Sequence, residues 1–316
     1  MPEPPFRAFV IFNPASGRGR GQRRIDAYLA LLARHLPGFD HGVTDRAGGE
    51  ADLVRQALNE GHDTVIAVGG DGTWSHVAHA ILASGVPNVR LGVLPSGTGN
   101  DFGRNLGLDY ADPATAVRRV ASGSSVRVDV GRVVTPSRRW DDADAMPTPG
   151  RHFLNLVGFG FDIAVIDAAR GARLLRGELL YKVTALQQLF RFPGLHLTVE
   201  NDAGFRAGGP HLMVTVSNGR FFGGGFPIAP GATLDDGQLH ACLIADASPF
   251  TRASLFGAAQ KGRHIESDRV RLEAGASFRL TFAEPPRFEV DGDVHVSEGE
   301  TVEVEILPGA LEVLGA

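Results

Sequence analysis

Three short glycine-rich segments, each placed directly after an apolar run, constrain the fold of this chain more than any other feature. They are Asn13–Gly17 after Ala8–Phe12, Gly69–Thr73 after Thr64–Val68, and Pro95–Asp101 after Leu91–Leu94. Helical patterns separate the runs, at Arg23–His35, Glu50–Glu60 and Trp74–Ala83. Strands that alternate with helices in this way predict a parallel sheet covered by helices.

After about Val126 the pattern changes to an alternation of apolar and polar residues. The alternating segments are Val126–Val134, Phe153–Val157, Leu195–Val199, Leu212–Ser217, Gln238–Ile244, Ser277–Phe282 and Thr301–Ile306. They predict antiparallel strands of a sandwich or barrel. Two helical stretches interrupt them, at Ile163–Phe192 and Pro249–Gln260, while the proline-rich segment Thr135–Gly150 predicts a long mobile loop. We therefore predict an α/β domain at residues 1–130, completed by a last strand at 306–316, and a β-rich domain at 131–305.

Composition excludes several classes of protein. The net charge of −5 gives no reason to expect nucleic acid as a partner. No stretch approaches about 18 consecutive apolar residues, so any membrane contact is predicted to be peripheral. The single cysteine, Cys242, excludes an internal disulfide and fits a reducing compartment. The first residues lack the apolar core of a signal peptide, so we expect a cytoplasmic protein.

The segment Gly69–Thr73 has the properties of a phosphate site. Its glycines let the backbone approach a ligand closely, and the N-terminus of the following helix presents free N–H groups. Asp71 would repel phosphate by itself, so its position makes sense if Mg²⁺ lies between them. The alternative is a tight turn in which Asp71 caps the helix. Neither the GxGxxG spacing nor the P-loop pattern is present, and the only lysines are Lys182 and Lys261.

Taken together, the three segments resemble the diacylglycerol kinase catalytic domain, in its bacterial soluble lipid kinase branch. Further matches follow along the chain: Asn155 with Gly158–Asp162, Asn218 with Gly223–Gly225, Ala229-Pro230, Asp235–Gly237, Val290–Asp293 and Pro308–Leu311. The resemblance implies an N-terminal α/β domain with a parallel sheet, as in NAD kinases and phosphofructokinases. It also implies a mainly antiparallel β-sandwich C-terminal domain, with the active site in the cleft between the two.

The resemblance further implies an enzyme that transfers the γ-phosphate of ATP to a lipid hydroxyl, with Mg²⁺. The implied nucleotide-binding residues are Asn13, Ser16, Gly17, Thr44, Gly69, Gly70, Asp71, Gly72, Thr73, Ser75, Gly97, Thr98, Asn100 and Asp101. A structural Mg²⁺ is implied near Thr233, Asp236 and Gln238. Asp71 and Asp293 are the implied catalytic residues, with Asp293 as general base. The family usually has Glu at that last position, and Asn where this chain has Ser75.

Several alternatives stay open at this point. The pair Asp291-Gly292 by itself favours a hairpin turn, which would make Asp293 a turn residue. The basic amphipathic stretch Ile163–Phe192 is typical both of a membrane-surface helix and of a helix with one core face and one solvated face. The lipid could be diacylglycerol, monoacylglycerol, phosphatidylglycerol, ceramide or a sphingoid base, and a homodimer is left open. Competing functions are a NAD kinase-like enzyme with a soluble substrate, and a catalytically weak lipid- or nucleotide-binding homologue.

Overall fold

The first four strands form a parallel sheet whose two faces are covered by helices. The computed structural model describes residues 6–14, 21–46, 48–97, 99–108, 112–142, 146–171 and 187–315. The strands are β1 (Ala8–Phe12), β2 (Asp40–Val43), β3 (Thr64–Gly69) and β4 (Arg90–Pro95), paired in the order β2-β1-β3-β4. The helices are α1 (Gly21–His35), α2 (Glu50–Asn59), α3 (Asp71–Ala83), α4 (Asp101–Asn105) and α5 (Pro113–Ala121).

The apolar runs of this sheet are buried on both sides, which is why they contain few polar residues. One core cluster joins the sheet to α1 and α5 and includes Tyr28 and Val117. The other joins it to α2 and α3 and includes Val54 and Trp74. Parallel strands place their carboxyl ends at one edge, so the three glycine-rich turns leave the sheet on the same side.

The second part of the chain is mainly antiparallel. Its strands are β5 (Ser125–Val133), β6 (Ser137–Arg139), β7 (Arg151–Phe153), β8 (Leu156–Gly160), β9 (Leu195–Asn201), β10 (Arg206–Ser217), β11 (Phe221–Phe222), β12 (Phe226–Pro227), β13 (Leu239–Ala245), β14 (Val270–Gly275), β15 (Ser277–Phe282), β16 (Arg287–Val290), β17 (Asp293–Ser297) and β18 (Thr301–Leu314). Inward-facing residues such as Phe159, Val214 and Phe288 form its main core. Helix α6 (Phe161–Gly171), helical residues 187–191 and α7 (Pro249–Ala259) cover the opposite face.

Strand β18 belongs to both parts of the fold. Its last residues, Glu312–Leu314, pair in parallel with β4, while Thr301–Glu305 pair antiparallel with β15. Its other edge pairs with β5 on either side of a register shift between Leu307 and Leu311. The predicted boundaries at 130/131 and 305/306 therefore fall inside the strands β5 and β18, and the division of the chain there stays a prediction.

Three predicted elements differ from the structure. Helix α3 begins at Asp71 and not at Trp74, so the last three residues of the Gly69–Thr73 segment form its first turn. The segment Phe153–Val157 is not one strand, because the chain breaks between β7 and β8. The predicted loop Thr135–Gly150 contains strand β6, which pairs with β17, and an isolated bridge from Ser137 to Thr148. Much of the predicted helix Ile163–Phe192, residues 172–186, lies outside the described residues.

Candidate active site

The three glycine-rich turns meet at the carboxyl ends of β1, β3 and β4. The carbonyl of Gly69 accepts hydrogen bonds from the backbone N–H of Ser96, at 2.6 Å, and of Gly97, at 3.1 Å. The Asn13 side-chain amide donates to the hydroxyl of Thr73 at 3.1 Å. The structure thus brings together residues of all three predicted turns, although Ser16, Gly17 and Thr98 lie outside the described residues.

The contact between the second and third turns depends on glycine. A Cβ atom on Gly97 would lie 2.5 Å from the Cα of Gly70, and one on Gly70 would lie 2.9 Å from the Cα of Gly97. Carbon atoms cannot approach so closely, so a side chain at either position requires the two turns to separate. Gly72 differs, because a Cβ atom there would have no neighbour within 4 Å.

Asp71 and Asp101 face each other across this contact. One Asp71 carboxylate oxygen accepts the backbone N–H of Phe102 at 3.0 Å, at the start of α4. Asp101 is buried; its carboxylate accepts from the backbone N–H of Gly224 at 2.8 Å and from Arg104 at 2.9 Å. Burial raises the pKa of Asp101, and the negative charge of Asp71 raises it further. Two mutually repelling carboxylates fit a divalent cation with oxygen ligands.

The neighbouring predicted residues occupy the same edge. Thr44 is buried and follows β2, with its backbone N–H donating to the carbonyl of Phe12 at 2.9 Å. Asn100 precedes α4 in the left-handed conformation, with a φ of 55°. Ser75 is buried on α3, on the side that faces Asp291 in the second part of the chain. Burial raises the pKa of Asp291, and Ser75 and the backbone N–H of Leu154 partly oppose that rise.

Asp293 lies in contact with α3, although 217 residues separate it from its partner there. Its carboxylate is 2.5 Å from Nε2 of His76, and it also contacts Arg139 at 3.4 Å and Arg151 at 3.8 Å. Burial by itself would raise the pKa of Asp293, but the hydrogen bond and charge of His76, together with the two guanidinium groups, hold it well below its usual range. Asp293 is therefore a firmly ionised carboxylate.

The turn that precedes Asp293 is a β-hairpin turn, as the Asp291-Gly292 pair by itself favours, and the catalytic role of Asp293 stays a prediction. Val290 pairs with Asp293, and the two residues between them have positive φ angles of 47° and 92°, as a type I′ turn requires. The half-buried Asp291 carboxylate accepts the backbone N–H groups of Leu154, Asn155 and Leu156 at 2.7 to 3.1 Å. These bonds bind the hairpin to the break between β7 and β8.

Glu50 and His76 are site residues that the sequence did not reveal. Glu50 is 2% exposed at the start of α2, and its carboxylate accepts from the Asn13 amide at 3.1 Å and lies 3.5 Å from Nδ1 of His76. Burial would lower the pKa of His76, but Asp293 and Glu50 raise it to about 9. A signal was present for His76, which follows Thr73 by three residues and so lies on the same side of α3. No local pattern marks Glu50.

The predicted Mg²⁺ residues near position 236 lie on a separate exposed loop. The Asp236 carboxylate accepts from the backbone N–H of Gln238 and contacts His240, both at 2.9 Å. Nearby, the buried Asp129 accepts the backbone N–H groups of Gly237 and Gly309, each at 2.7 Å. Within the described ranges, no three His, Cys, Asp or Glu side chains are grouped to hold a metal. The oxygen donors of Thr233, Asp236 and Gln238 suit Mg²⁺, so a metal there would depend on neutral oxygens beside one carboxylate.

The parallel sheet with its three joined turns and the mainly antiparallel second part define an α/β domain followed by a β-sandwich-like domain. The family model described as the diacylglycerol kinase catalytic domain matches residues 7–133. The model of the YegS C-terminal NAD kinase beta sandwich-like domain matches residues 155–315. The chain belongs to the diacylglycerol kinase family. The predicted family, fold class and kinase enzyme are confirmed.

Similar proteins agree with this assignment over nearly the whole length. The chain is 29% identical over 311 residues to a diacylglycerol kinase of Mycobacterium tuberculosis, covering 96% of this chain and 94% of the relative. It is 27% identical over 298 residues to one of Bacillus subtilis, with 91% and 89% coverage. A crystal structure of a diacylglycerol kinase from Bacillus anthracis has the same fold, with a TM-score of 0.69, 19% identity and coverage of 98% and 96%. In the parts of the chain that the structure describes, no helix is long and apolar enough to cross a membrane.

Proposed function

We propose that the chain is an ATP- and Mg²⁺-dependent lipid kinase, with diacylglycerol or a related lipid as the phosphate acceptor. The observation that carries this proposal is the contact of Asp293, from the second part of the chain, with the helix that begins in the Gly69–Thr73 turn. This contact places Asp293, which could bind the acceptor hydroxyl, near the glycine-rich turns, which could bind the phosphates of ATP. The cleft between the two parts is thus the proposed site of transfer.

The nucleotide-binding role falls on backbone N–H groups of the joined turns and on Asn13, Thr44, Thr73 and Ser75. Asp71 and Asp101 are the proposed holders of the catalytic Mg²⁺, which supplies neutralisation of phosphate charge. In P-loop enzymes a lysine provides part of that neutralisation, and neither lysine of this chain follows a glycine cluster. Thr233, Asp236 and Gln238 are the proposed structural Mg²⁺ site.

Asp293 is the proposed contact of the lipid hydroxyl. Because its pKa is held low, it accepts a proton weakly in the resting protein. Phosphoryl transfer passes through a loose transition state in which the attacking hydroxyl becomes much more acidic only late. We therefore assign Asp293 first to orienting the hydroxyl and then to taking its proton, as the new P–O bond forms, the bond between the γ-phosphorus and the bridging oxygen of the β-phosphate breaks, and ADP leaves.

The test is transfer of labelled phosphate from ATP to a panel of lipids in mixed micelles. The panel contains diacylglycerol, monoacylglycerol, phosphatidylglycerol, ceramide and a sphingoid base. Asp71→Asn and Asp293→Asn are expected to lose at least about 100-fold in rate, the usual effect of removing one electrostatic contact at a reacting centre. Asp268→Asn, at an exposed carboxylate outside the turns, is the matched control. Equal activity of all three variants would contradict the assignment.

Two alternatives are separated by the same experiment. If NAD is also supplied and becomes labelled NADP while no lipid is labelled, the result supports a NAD kinase-like enzyme. The catalytically weak homologue is favoured by one observation, which is that three cationic groups already engage Asp293. Nucleotide binding without transfer to any acceptor supports that candidate.

The lipid is proposed to be met at a membrane surface, by peripheral contact. Phe190 and Phe250 support this proposal, since they are 52% and 81% exposed and their rings lie edge to face at 6.2 Å. The buried Arg252 holds their two segments together by donating to the carbonyls of Leu189 and Phe192 at 2.9 and 2.8 Å. Sedimentation with phosphatidylglycerol vesicles tests it, and a Phe190→Ser/Phe250→Ser variant that binds vesicles as tightly as wild type would contradict it.

A further inference from the structure

His76 joins two carboxylates that come from different parts of the fold. Its Nε2 lies 2.5 Å from the Asp293 carboxylate on β17, and its Nδ1 lies 3.5 Å from the Glu50 carboxylate on α2. All three side chains are largely buried, with 18%, 21% and 2% of the His76, Asp293 and Glu50 side chains exposed. Glu50 in turn accepts the amide of Asn13. A continuous series of polar contacts therefore runs from the first turn to Asp293.

Both ring nitrogens of His76 are used in these contacts. His76 therefore acts on the reaction through the two carboxylates that it contacts, and the shorter contact is the one to Asp293. The charged and titratable groups that act on the imidazole are Glu50 on α2, His79 on α3, Arg151 on β7, and Asp293 and His295 on β17. Arg139 on β6 contacts the same Asp293 carboxylate. The nearest contacts are both carboxylates, which favour the imidazolium form.

We infer that His76 is the positioning residue that holds the Asp293 carboxylate toward the glycine-rich turns in the orientation that phosphate transfer requires. The inference rests on the proposed function, since it is that function which gives Asp293 a role in transfer. The inference also accounts for Asp293 at a position where the family usually has glutamate, whose side chain is one methylene longer. In this chain, the imidazole of His76 on α3 contacts the shorter aspartate side chain directly.

Loss of the imidazole would leave Asp293 with partners from one part of the chain. These partners are Arg139 at 3.4 Å and Arg151 at 3.8 Å, on β6 and β7. Both belong to the second part of the chain, so the carboxylate would keep its charge but lose its hydrogen bond to α3. A misplacement of about 1 Å at a reacting group can cost on the order of 100-fold in rate.

The decisive variant is His76→Gln, which keeps a hydrogen-bond donor and removes the charge. We expect its kcat to fall about 10- to 100-fold, while the KM for ATP changes less than about threefold, because the two ring nitrogens of His76 contact carboxylates and not the glycine-rich turns. His79→Gln is the matched control, one turn further along α3. Since burial, with nearby positive charge, lowers the pKa of His79 to about 3, that residue is already neutral, and the control is expected to keep the wild-type profile.

The pH profile distinguishes positioning from a merely structural role. In the wild-type enzyme, kcat should decline as the pH rises through about 9, where His76 loses its proton. In His76→Gln that decline should be absent, and the acid limb should move to higher pH, because the pKa of Asp293 rises when the adjacent positive charge is removed. A variant whose rate and pH profile equal those of wild type would overturn the inference while leaving the proposed function intact.

A second measurement does not depend on activity. The imidazole resonance of His76, assigned by its absence from His76→Gln, should titrate near pH 9 and shift toward its ordinary value in Asp293→Asn. An ordinary titration in the wild-type protein would overturn the inference, since the two groups would then not be in contact. If no acceptor is labelled by the wild-type enzyme at all, the proposed function fails and the inference falls with it.

Discussion

Replacing Gly97 by alanine should separate the second and third turns. The new Cβ would lie 2.5 Å from the Cα of Gly70 and 2.8 Å from the side-chain oxygen of Asn100, whereas ordinary contact begins at 3.4 Å. A backbone atom cannot rotate out of the way, so the turns must part by about 0.9 Å, a distance set by van der Waals contact. The hydrogen bonds from Ser96 and Gly97 to the Gly69 carbonyl would then lengthen to about 3.5 to 4 Å and be lost.

The expected loss of folding stability is the sum of the lost hydrogen bonds and the remaining steric crowding. Losing two backbone hydrogen bonds costs about 1–3 kcal/mol, and the residual crowding adds about 1 kcal/mol or more. A shift of nearly 1 Å in the backbone that is proposed to bind phosphate should lower kcat/KM for ATP about 100-fold. Kinase assays in mixed micelles measure the rate, and urea titration at constant slope measures the stability.

Gly72→Ala provides the control for stability. Its Cβ would meet nothing within 4 Å, and it lies in the first turn of α3, where alanine favours helix over glycine by about 1 kcal/mol. Its urea midpoint should equal or exceed that of wild type. A Gly97→Ala variant with wild-type kcat/KM and an unchanged urea midpoint would refute the claim that the two turns work as one closely packed unit.

Three further predictions concern charge and burial. The pKa of Asp293 is depressed, so its contribution to stability is present above about pH 4 and is lost as the pH falls. The pKa of His76 is raised from 6.5 to about 9, so its contribution, about 3 kcal/mol, is fully present below about pH 6.5 and is lost as the pH rises through 9. Urea unfolding from pH 3 to 10 should show both slopes in wild type. In Asp293→Asn the acid slope that Asp293 contributes should be absent, and the alkaline slope should be smaller because Glu50 still raises the pKa of His76. Asp71→Asn keeps an acceptor for the Phe102 amide, so its melting temperature should stay within about 3 °C while Mg²⁺-dependent nucleotide binding is lost in calorimetry. Burial raises the pKa of the Cys242 thiol to about 12, so a thiol reagent at pH 8 should label it only after unfolding, and rapid native labelling would contradict its burial.

Much of the first part of the fold could be predicted because its signals are local. The runs that became β1, β3 and β4 are short, apolar and bounded by turn residues, and parallel strands necessarily bring their turns to one edge. The start of α3 was predicted too late, because its first turn, Asp71–Thr73, contributes little to the apolar period that begins at Trp74. The position of Asp71–Thr73 in the helix is seen only in the backbone conformation of the structure.

The errors in the second part come from contacts between distant residues. The segment Phe153–Val157 has the alternation of one strand. However, the backbone N–H groups at its centre donate to the carboxylate of Asp291, which lies over 130 residues further along the sequence. Strand β6 forms because the edge of β17 is available to it, which the proline-rich sequence around it does not indicate. The contact of His76 with Asp293 is of the same kind, since no spacing along the chain relates the two residues.

Strand β18 has a consequence for how the protein is made. It comes after every other strand in the chain, yet the inner edge of β4 has no partner until Glu312–Leu314 arrive. During synthesis on the ribosome, the earlier sheet therefore exists with an open, apolar edge that invites pairing with other nascent chains. The sheet of the first part and the sheet of the second part both lack β18 until the end of the chain is translated. Both are therefore completed together, late in synthesis.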